Sequence, residues 1–130
     1  SARVWDAPAS ERAEILRKVA DLFESNEGEF YAVLSREGGK TPLDTVTELR
    51  EAVDFLRYYA KECEKPEQAG RNPRGIISCI SPWNFPLAIF TGQIAASLAA
   101  GNGVIAKPAE TIFPIQTVRF SLADGAIYLL

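Results

Sequence analysis

The spacing of the hydrophobic residues changes along this chain, and the change falls at residues 65–74. Before this segment, apolar residues recur every three or four positions, which predicts amphipathic helices. After it, two short β-branched runs flank an alanine-rich apolar stretch, which predicts a strand, a helix and a second strand. The segment itself is polar and contains two prolines and a glycine, so we interpret it as a linker. The sequence therefore predicts an α/β fold with N-terminal helices and a βαβ unit.

Three helices are predicted before the linker. Ser10 is a candidate N-cap of the first helix, whose apolar stripe is Ile15, Leu16, Val19, Leu22 and Phe23. The second helix covers about residues 29–37. The third begins with Thr41 as N-cap and Pro42 in the first position. Its stripe is Val46, Leu49, Val53, Leu56 and Ala60. Glu48 is predicted to lie on the opposite face, toward solvent.

Two segments of the predicted βαβ unit are candidates for a binding site. Residues 75–81 and 104–106 read as buried parallel strands, and residues 87–100 read as the helix between them. Ligands of open α/β sheets bind at the carboxyl ends of the strands. Residues 81–86 and 107–110 occupy those positions, and they face one crevice if the two strands are neighbours.

The side chains in these two segments have both chemical and structural interpretations. Asn84 can donate to a developing oxyanion, but an asparagine between prolines commonly bonds its own turn. Trp83 can line a pocket or belong to a core. Lys107 and Glu110 can bind ribose hydroxyls, although such a pair is more often solvated at the surface. No G-x-G-x-x-G fingerprint is present, and residues 101–103 read as a helix stop.

Composition excludes several classes of function. The 130 residues are 47% hydrophobic and 24% charged with a net charge of −3, and no basic patch suggests contact with nucleic acid. No charge-free run is long enough to span a membrane, and no signal peptide is evident. The absence of histidine and of clustered cysteines removes the common metal sites and histidine-based catalysis. Cys63 and Cys79 read as reduced structural thiols of a cytoplasmic protein.

Two blocks of sequence resemble the aldehyde dehydrogenase superfamily. They are Ser-Pro-Trp-Asn-Phe-Pro at residues 81–86 and Gly-Asn-Gly-Val-Ile-Ala-Lys-Pro-Ala-Glu at residues 101–110, with matching spacing between them. The upstream helices fit the same family. Residues 86–96 and the short junction before Gly75 resemble more closely the L-glutamate γ-semialdehyde (1-pyrroline-5-carboxylate) dehydrogenase domain of bacterial proline utilization A. The resemblance implies a Rossmann-like NAD-binding domain within an incomplete aldehyde dehydrogenase fold.

The resemblance also implies roles for individual residues. Asn84 would be the side-chain donor to the oxyanion formed when a cysteine attacks the aldehyde. Lys107 and Glu110 would hold the adenosine ribose of NAD. The path toward the nicotinamide would be lined by Ile80, Ser81, Pro82 and Trp83. The implied reaction is oxidation of L-glutamate γ-semialdehyde to glutamate in proline catabolism, by a parent enzyme that is a homo-oligomer.

The family's nucleophilic cysteine, its glutamate base and its second cofactor loop have no counterpart in this sequence. We therefore expect an N-terminal fragment that is inactive alone. The expected segments are helices in residues 1–64, a linker in 65–74, the βαβ part in 75–110 and an atypical tail in 111–130. Alternating apolar residues predict that residues 115–122 are extended. The alternative function is a non-catalytic module that serves only in interaction or assembly.

Overall fold

A computed structural model describes residues 4–109 of the chain. Three helices come first: α1 (Ala9–Ser25), α2 (Glu27–Gly38) and α3 (Pro42–Cys63). A short 3₁₀ turn, Pro66–Gln68, lies in the segment predicted to be a linker, and β1 (Ile76–Ile80), α4 (Ala88–Ala99) and β2 (Gly103–Lys107) follow. The predicted α/β fold class is confirmed. The prediction of an extended tail at residues 115–122 lies outside the described residues.

Local sequence signals determine the backbone conformation at two of the helix ends. Thr41 caps α3 as predicted, because its side chain accepts a hydrogen bond from the Asp44 amide and Pro42 follows it. Gly39 ends α2 with φ of 61°, a left-handed conformation that favours glycine. The prediction for Ser10 is wrong. Helix α1 already begins at Ala9, after Pro8, so Ser10 lies inside the first turn and caps nothing.

The first hydrophobic core lies among α1, α2 and α3. The predicted stripes are largely correct, but Leu22 is 60% exposed. Val46 is only partly buried, whereas two small residues of the same helix, Thr45 and Ala52, are buried. Apolar spacing therefore located each helix correctly, but the buried face of α3 is rotated slightly from the predicted one. The main buried residues here are Leu16, Val19, Phe23, Phe30, Leu34, Leu49, Val53 and Leu56.

Helix α4 separates this core from a second one and contributes to both. Leu87, Ala95 and Ala99 belong to the helical core, whereas the opposite face of α4 packs on the sheet. A helix that is apolar all round is buried on all sides, and this one lies between α3 and the two strands. The second core consists of Cys79, Phe90, Ile94, Leu98, Val104 and Ala106.

The two strands are parallel neighbours, in register from Ile76 opposite Gly103 to Ile80 opposite Lys107. The prediction that both strands are buried is wrong for one face of the sheet. Ile76 is 50% exposed, Ile80 is 63% exposed and Ile105 is 39% exposed. Within residues 4–109 only the face toward α4 is covered, so successive side chains alternate between buried and exposed.

Asn102 joins the start of the sheet to the end of α4. Its side-chain oxygen accepts hydrogen bonds from the backbone amides of Arg74 (2.6 Å) and Gly75 (3.1 Å). Its side-chain nitrogen donates to the Ser97 carbonyl at 3.2 Å. Asn102 is 6% exposed, so these bonds are shielded from water. The residue predicted to be a simple helix stop therefore fixes where the linker enters β1.

We expect Asn102→Ala to lower the free energy of unfolding by about 1–3 kcal/mol, because two backbone amides lose their acceptor in a largely dry site. Urea titration followed by circular dichroism measures the change. Asn26→Ala is the matched control, since the Asn26 side chain bonds a helix carbonyl at the exposed surface. Equal effects of the two substitutions would contradict the role given to Asn102.

Candidate functional site

The carboxyl ends of the two strands meet at one edge of the sheet. Ile80 and Lys107 are the last register partners. Beyond them the Ser81 amide donates to the Lys107 carbonyl at 3.1 Å, so the pairing continues to the point where both loops leave. The prediction that residues 81–86 and residues after Lys107 emerge side by side is confirmed. Glu110, the other predicted ribose ligand, lies outside the described residues.

Ile80 and Lys107 lie on the same exposed face of the sheet. Paired residues in a parallel sheet project to the same side, and neighbouring strands are about 4.8 Å apart. Ile80 is 63% exposed, and Lys107 is also exposed. An apolar surface and an ammonium group therefore stand next to each other at the edge where open α/β sheets bind ligands.

The loop from Ser81 to Leu87 carries the other predicted site residues. Ser81 is buried, Pro82 is half-buried and Trp83 is 67% exposed, so the indole is not part of a core in the described chain. Asn84 is exposed, and among residues 4–109 its side-chain amide has no hydrogen-bond partner. The interpretation of Asn84 as a group that bonds its own turn therefore has no support in this part of the chain.

The far end of the loop rests on a buried carboxylate. Glu48 Oε1 accepts hydrogen bonds from the Leu87 amide at 2.8 Å and the Ala88 amide at 3.2 Å. These amides begin α4, where backbone donors lack helical partners and the helix dipole favours negative charge. The prediction that Glu48 faces solvent is wrong, because the residue is only 2% exposed. Its face of α3 packs on α4 instead.

Lys40 connects this carboxylate to the loop. Its Nζ lies 2.7 Å from Glu48 Oε2, with the two side chains 14% and 1% exposed respectively. The same ammonium stands 4.6 Å from the centre of the Phe85 ring, a cation–π distance. The left-handed Gly39 and the hydrogen bond from the Lys40 amide to the Leu34 carbonyl turn the chain at this point. Phe85 is the residue next to Asn84.

Glu48, Lys40 and Asn102 are the residues that sequence reasoning missed. A signal for Glu48 exists: it is three residues after Thr45 and four before Ala52, both small and both buried. An acidic residue between small residues at helical spacing is a candidate for burial against a neighbouring backbone. Lys40 gave no comparable signal, because its role depends on contacts with residues 48 and 85.

The two cysteines lack the properties of a nucleophile. Burial raises the pKa of the Cys63 thiol, and nearby Arg12 opposes this only in part. Burial also raises the pKa of the Cys79 thiol, opposed by a hydrogen bond with Ser97. A raised thiol pKa reduces the thiolate fraction at neutral pH. Both residues are buried free thiols, which fits the structural role expected from the sequence.

Comparison with known proteins shows the family of this chain. The model of the aldehyde dehydrogenase family matches residues 1–126, which extends beyond Glu110 into the segment expected to be atypical. The chain belongs to the aldehyde dehydrogenase family. The bifunctional protein PutA of Klebsiella aerogenes is 54% identical over 129 residues, and the match covers 96% of this chain and 10% of PutA.

Other members of the aldehyde dehydrogenase family are also similar to this chain. The 1-pyrroline-5-carboxylate dehydrogenase 1 of Halalkalibacterium halodurans is 37% identical, with 85% of this chain and 24% of that protein covered. A 1-pyrroline-5-carboxylate dehydrogenase from Thermus, solved with bound NAD, superposes with a TM-score of 0.80 at 34% identity, covering 88% of this chain and 26% of that one. The chain thus spans a tenth to about a quarter of these relatives' lengths. No helix within residues 4–109 is long and apolar enough to cross a membrane.

We expect Glu48→Ala to lower the free energy of unfolding by about 3–5 kcal/mol, because it leaves the largely buried Lys40 ammonium and two backbone amides without their acceptor. Chemical denaturation measures the effect. Glu51→Ala is the matched control on an exposed position of α3 and should change stability by less than about 0.5 kcal/mol. A loss below about 1 kcal/mol for Glu48→Ala would contradict the buried pair.

The raised thiol pKa values predict slow alkylation. At pH 7 the native chain should react with iodoacetamide at Cys63 and Cys79 more slowly than an exposed cysteine does, because both burial and a smaller thiolate fraction limit the reaction. Mass spectrometry follows the modification, and the same chain in concentrated urea is the control. Equal rates in the native and unfolded chain would show that the thiols are accessible and reactive.

Proposed function

We propose that this chain is part of an NAD-dependent aldehyde dehydrogenase that oxidises L-glutamate γ-semialdehyde to glutamate in proline catabolism. The observation that carries the proposal is the meeting of two strand ends and the Asn84 loop at one edge of the sheet, in a chain of the aldehyde dehydrogenase family. The choice of aldehyde rests on the identity to PutA and to 1-pyrroline-5-carboxylate dehydrogenase. Assembly of the longer enzyme into a homo-oligomer stays a prediction.

The residues at the carboxyl edge fit part of an NAD molecule. Ile80 and Trp83 offer exposed apolar and aromatic surface, which suits a flat ring. Lys107, beside Ile80 on the exposed face, offers donors to ribose hydroxyls or phosphate. We propose that Ser81 and Pro82 line the path toward the nicotinamide and that Glu110 adds an acceptor for ribose. Bound NAD would supply the acceptor for the hydride that the aldehyde carbon loses.

Asn84 is the residue of this chain that we propose to act on the aldehyde. Its exposed amide can donate to the carbonyl oxygen and hold the negative charge that develops when a nucleophile adds to the carbonyl carbon. An amide suits this task because its N–H groups donate hydrogen bonds to the oxyanion. Its donors need no reorganisation if the loop is already rigid, and both flanking prolines restrict the loop backbone.

The 130 residues alone supply only part of this chemistry. Cys63 and Cys79 are both buried, and burial raises the pKa of each thiol. We propose that the thiolate, the base and the remaining NAD contacts come from other parts of a longer enzyme. A partial site also binds NAD weakly. The ligand loses the same translational and rotational entropy on binding, but fewer contacts offset that loss.

We expect Asn84→Ala in the longer enzyme to lower kcat by about 10²–10³-fold, the usual cost of one oxyanion donor, with little change in NAD affinity. NADH formation with L-glutamate γ-semialdehyde measures turnover, and tryptophan quenching titration measures NAD binding. Asn26→Ala, at the exposed end of α1, is the control and should leave both unchanged.

Two results would contradict the proposal. Undiminished turnover by Asn84→Ala would remove the oxyanion role. NADH formation by the 130-residue chain alone would show that the missing groups are not needed, and would overturn the division of the site between this chain and the rest of the enzyme.

A further inference from the structure

The loop that carries Asn84 has a polar support on its inner side that the proposed chemistry does not use. Glu48 is almost fully buried, which is unusual for a carboxylate and demands partners. Each of its oxygens has a separate task. Oε1 accepts from the Leu87 and Ala88 amides, and Oε2 pairs with Lys40.

Lys40 also contacts the loop directly, through the face of the Phe85 ring. The chain between the two supports is short: Phe85 is held at its ring by Lys40, and Leu87 is held at its amide by Glu48. Pro86 lies between them, is fully buried and restricts the backbone further. Asn84 is therefore the residue immediately before a segment that is fixed by two linked charged side chains.

We infer that Glu48 and Lys40 are positioning residues that set the place of the Asn84 amide for catalysis. This rests on the proposed function. The pair acts through the loop backbone and touches neither aldehyde nor NAD. An oxyanion donor must lie within a few tenths of an ångström of its productive position, because a displacement of about 1 Å can cost 10²-fold in rate. Asn84 has no hydrogen bond of its own within residues 4–109, so its position depends on the supports behind it.

The alternative is that the pair only stabilises the fold. Such a role predicts a general loss of stability and of NAD binding, unrelated to Asn84. A positioning role predicts instead that the kinetic effect of losing the pair disappears once Asn84 is gone, because there is then no donor left to misplace. A double-mutant cycle separates these alternatives.

The experiment uses the longer enzyme that carries this segment, assayed with NAD and L-glutamate γ-semialdehyde. Lys40→Met removes the ammonium and keeps an apolar stem, and Lys40→Arg is the conservative variant that restores the charge. Lys61→Met, at an exposed position of α3, is the matched control. Because Lys40→Met can impair folding, Phe85→Leu is the second test: it removes the ring and leaves the Lys40–Glu48 pair intact.

We expect Lys40→Met and Phe85→Leu each to lower kcat by about 10- to 100-fold with KM for NAD changed less than about 2-fold. Lys40→Arg should recover most of the rate. In the Asn84→Ala background the same substitutions should lower kcat further by less than about 2-fold. Hydrogen exchange of the peptide covering residues 81–92 should be faster in Lys40→Met than in Lys61→Met.

Additive effects in the cycle, or unchanged hydrogen exchange in the loop, would overturn the inference while leaving the role of Asn84 intact. An Asn84→Ala enzyme of normal rate would instead overturn the oxyanion role proposed for Asn84, and the positioning role with it. The two failures are therefore distinguishable by the single variant Asn84→Ala.

Discussion

The described part of the molecule depends on one buried carboxylate. Glu48 lies where α3 faces the beginning of α4, and it joins three parts of the chain: the turn after α2, the loop after β1 and the first turn of α4. Removing a carboxylate and an ammonium from water is costly. Here the cost is offset by the two backbone amides that donate to Oε1 and by the Lys40 ammonium 2.7 Å from Oε2. The helical half and the βαβ half are thus linked by polar bonds as well as by apolar packing.

Much of the fold could be predicted because its elements are specified locally. Each of these signals predicts the conformation of the segment that contains it. They are the apolar stripes of α1 and α3, the Thr41–Pro42 start of α3 and the β-branched runs of both strands. Apart from the Ser10 cap, where α1 begins two residues earlier than expected, the errors occur where a segment distant in sequence determines burial. Glu48 was expected at the surface because carboxylates are usually exposed. It is buried because backbone amides at the start of α4 donate hydrogen bonds to it. Ile76 and Ile80 were expected to be buried because their strand is apolar, but burial of the second face requires a cover that residues 4–109 do not contain.

The candidate site follows the same division. The order of strands and loops in the sequence predicted that one edge of a sheet carries Ile80, Ser81, Pro82, Trp83, Asn84 and Lys107. The parallel register agrees with this location, because Ile80 and Lys107 are the last paired residues of the two strands. Their chemical roles came from the family resemblance, since an asparagine in a turn has a structural meaning as often as a chemical one. The support by Lys40 could not be predicted, because a cation–π contact between residues 45 positions apart leaves no local pattern.

The two ends of α4 have a consequence for how that helix can move. Its sequence is mostly alanine, isoleucine and leucine, and in mid-helix Gly92 leaves room for the ring of Phe55. Glu48 binds the amides at one end, and the Arg12 guanidinium donates to the Ala99 carbonyl at the other. These hydrogen bonds involve backbone groups, whose positions along the helix axis are fixed by the helix itself. Polar bonds at both ends therefore help to fix the axial position of α4, and the loop at its start inherits that position.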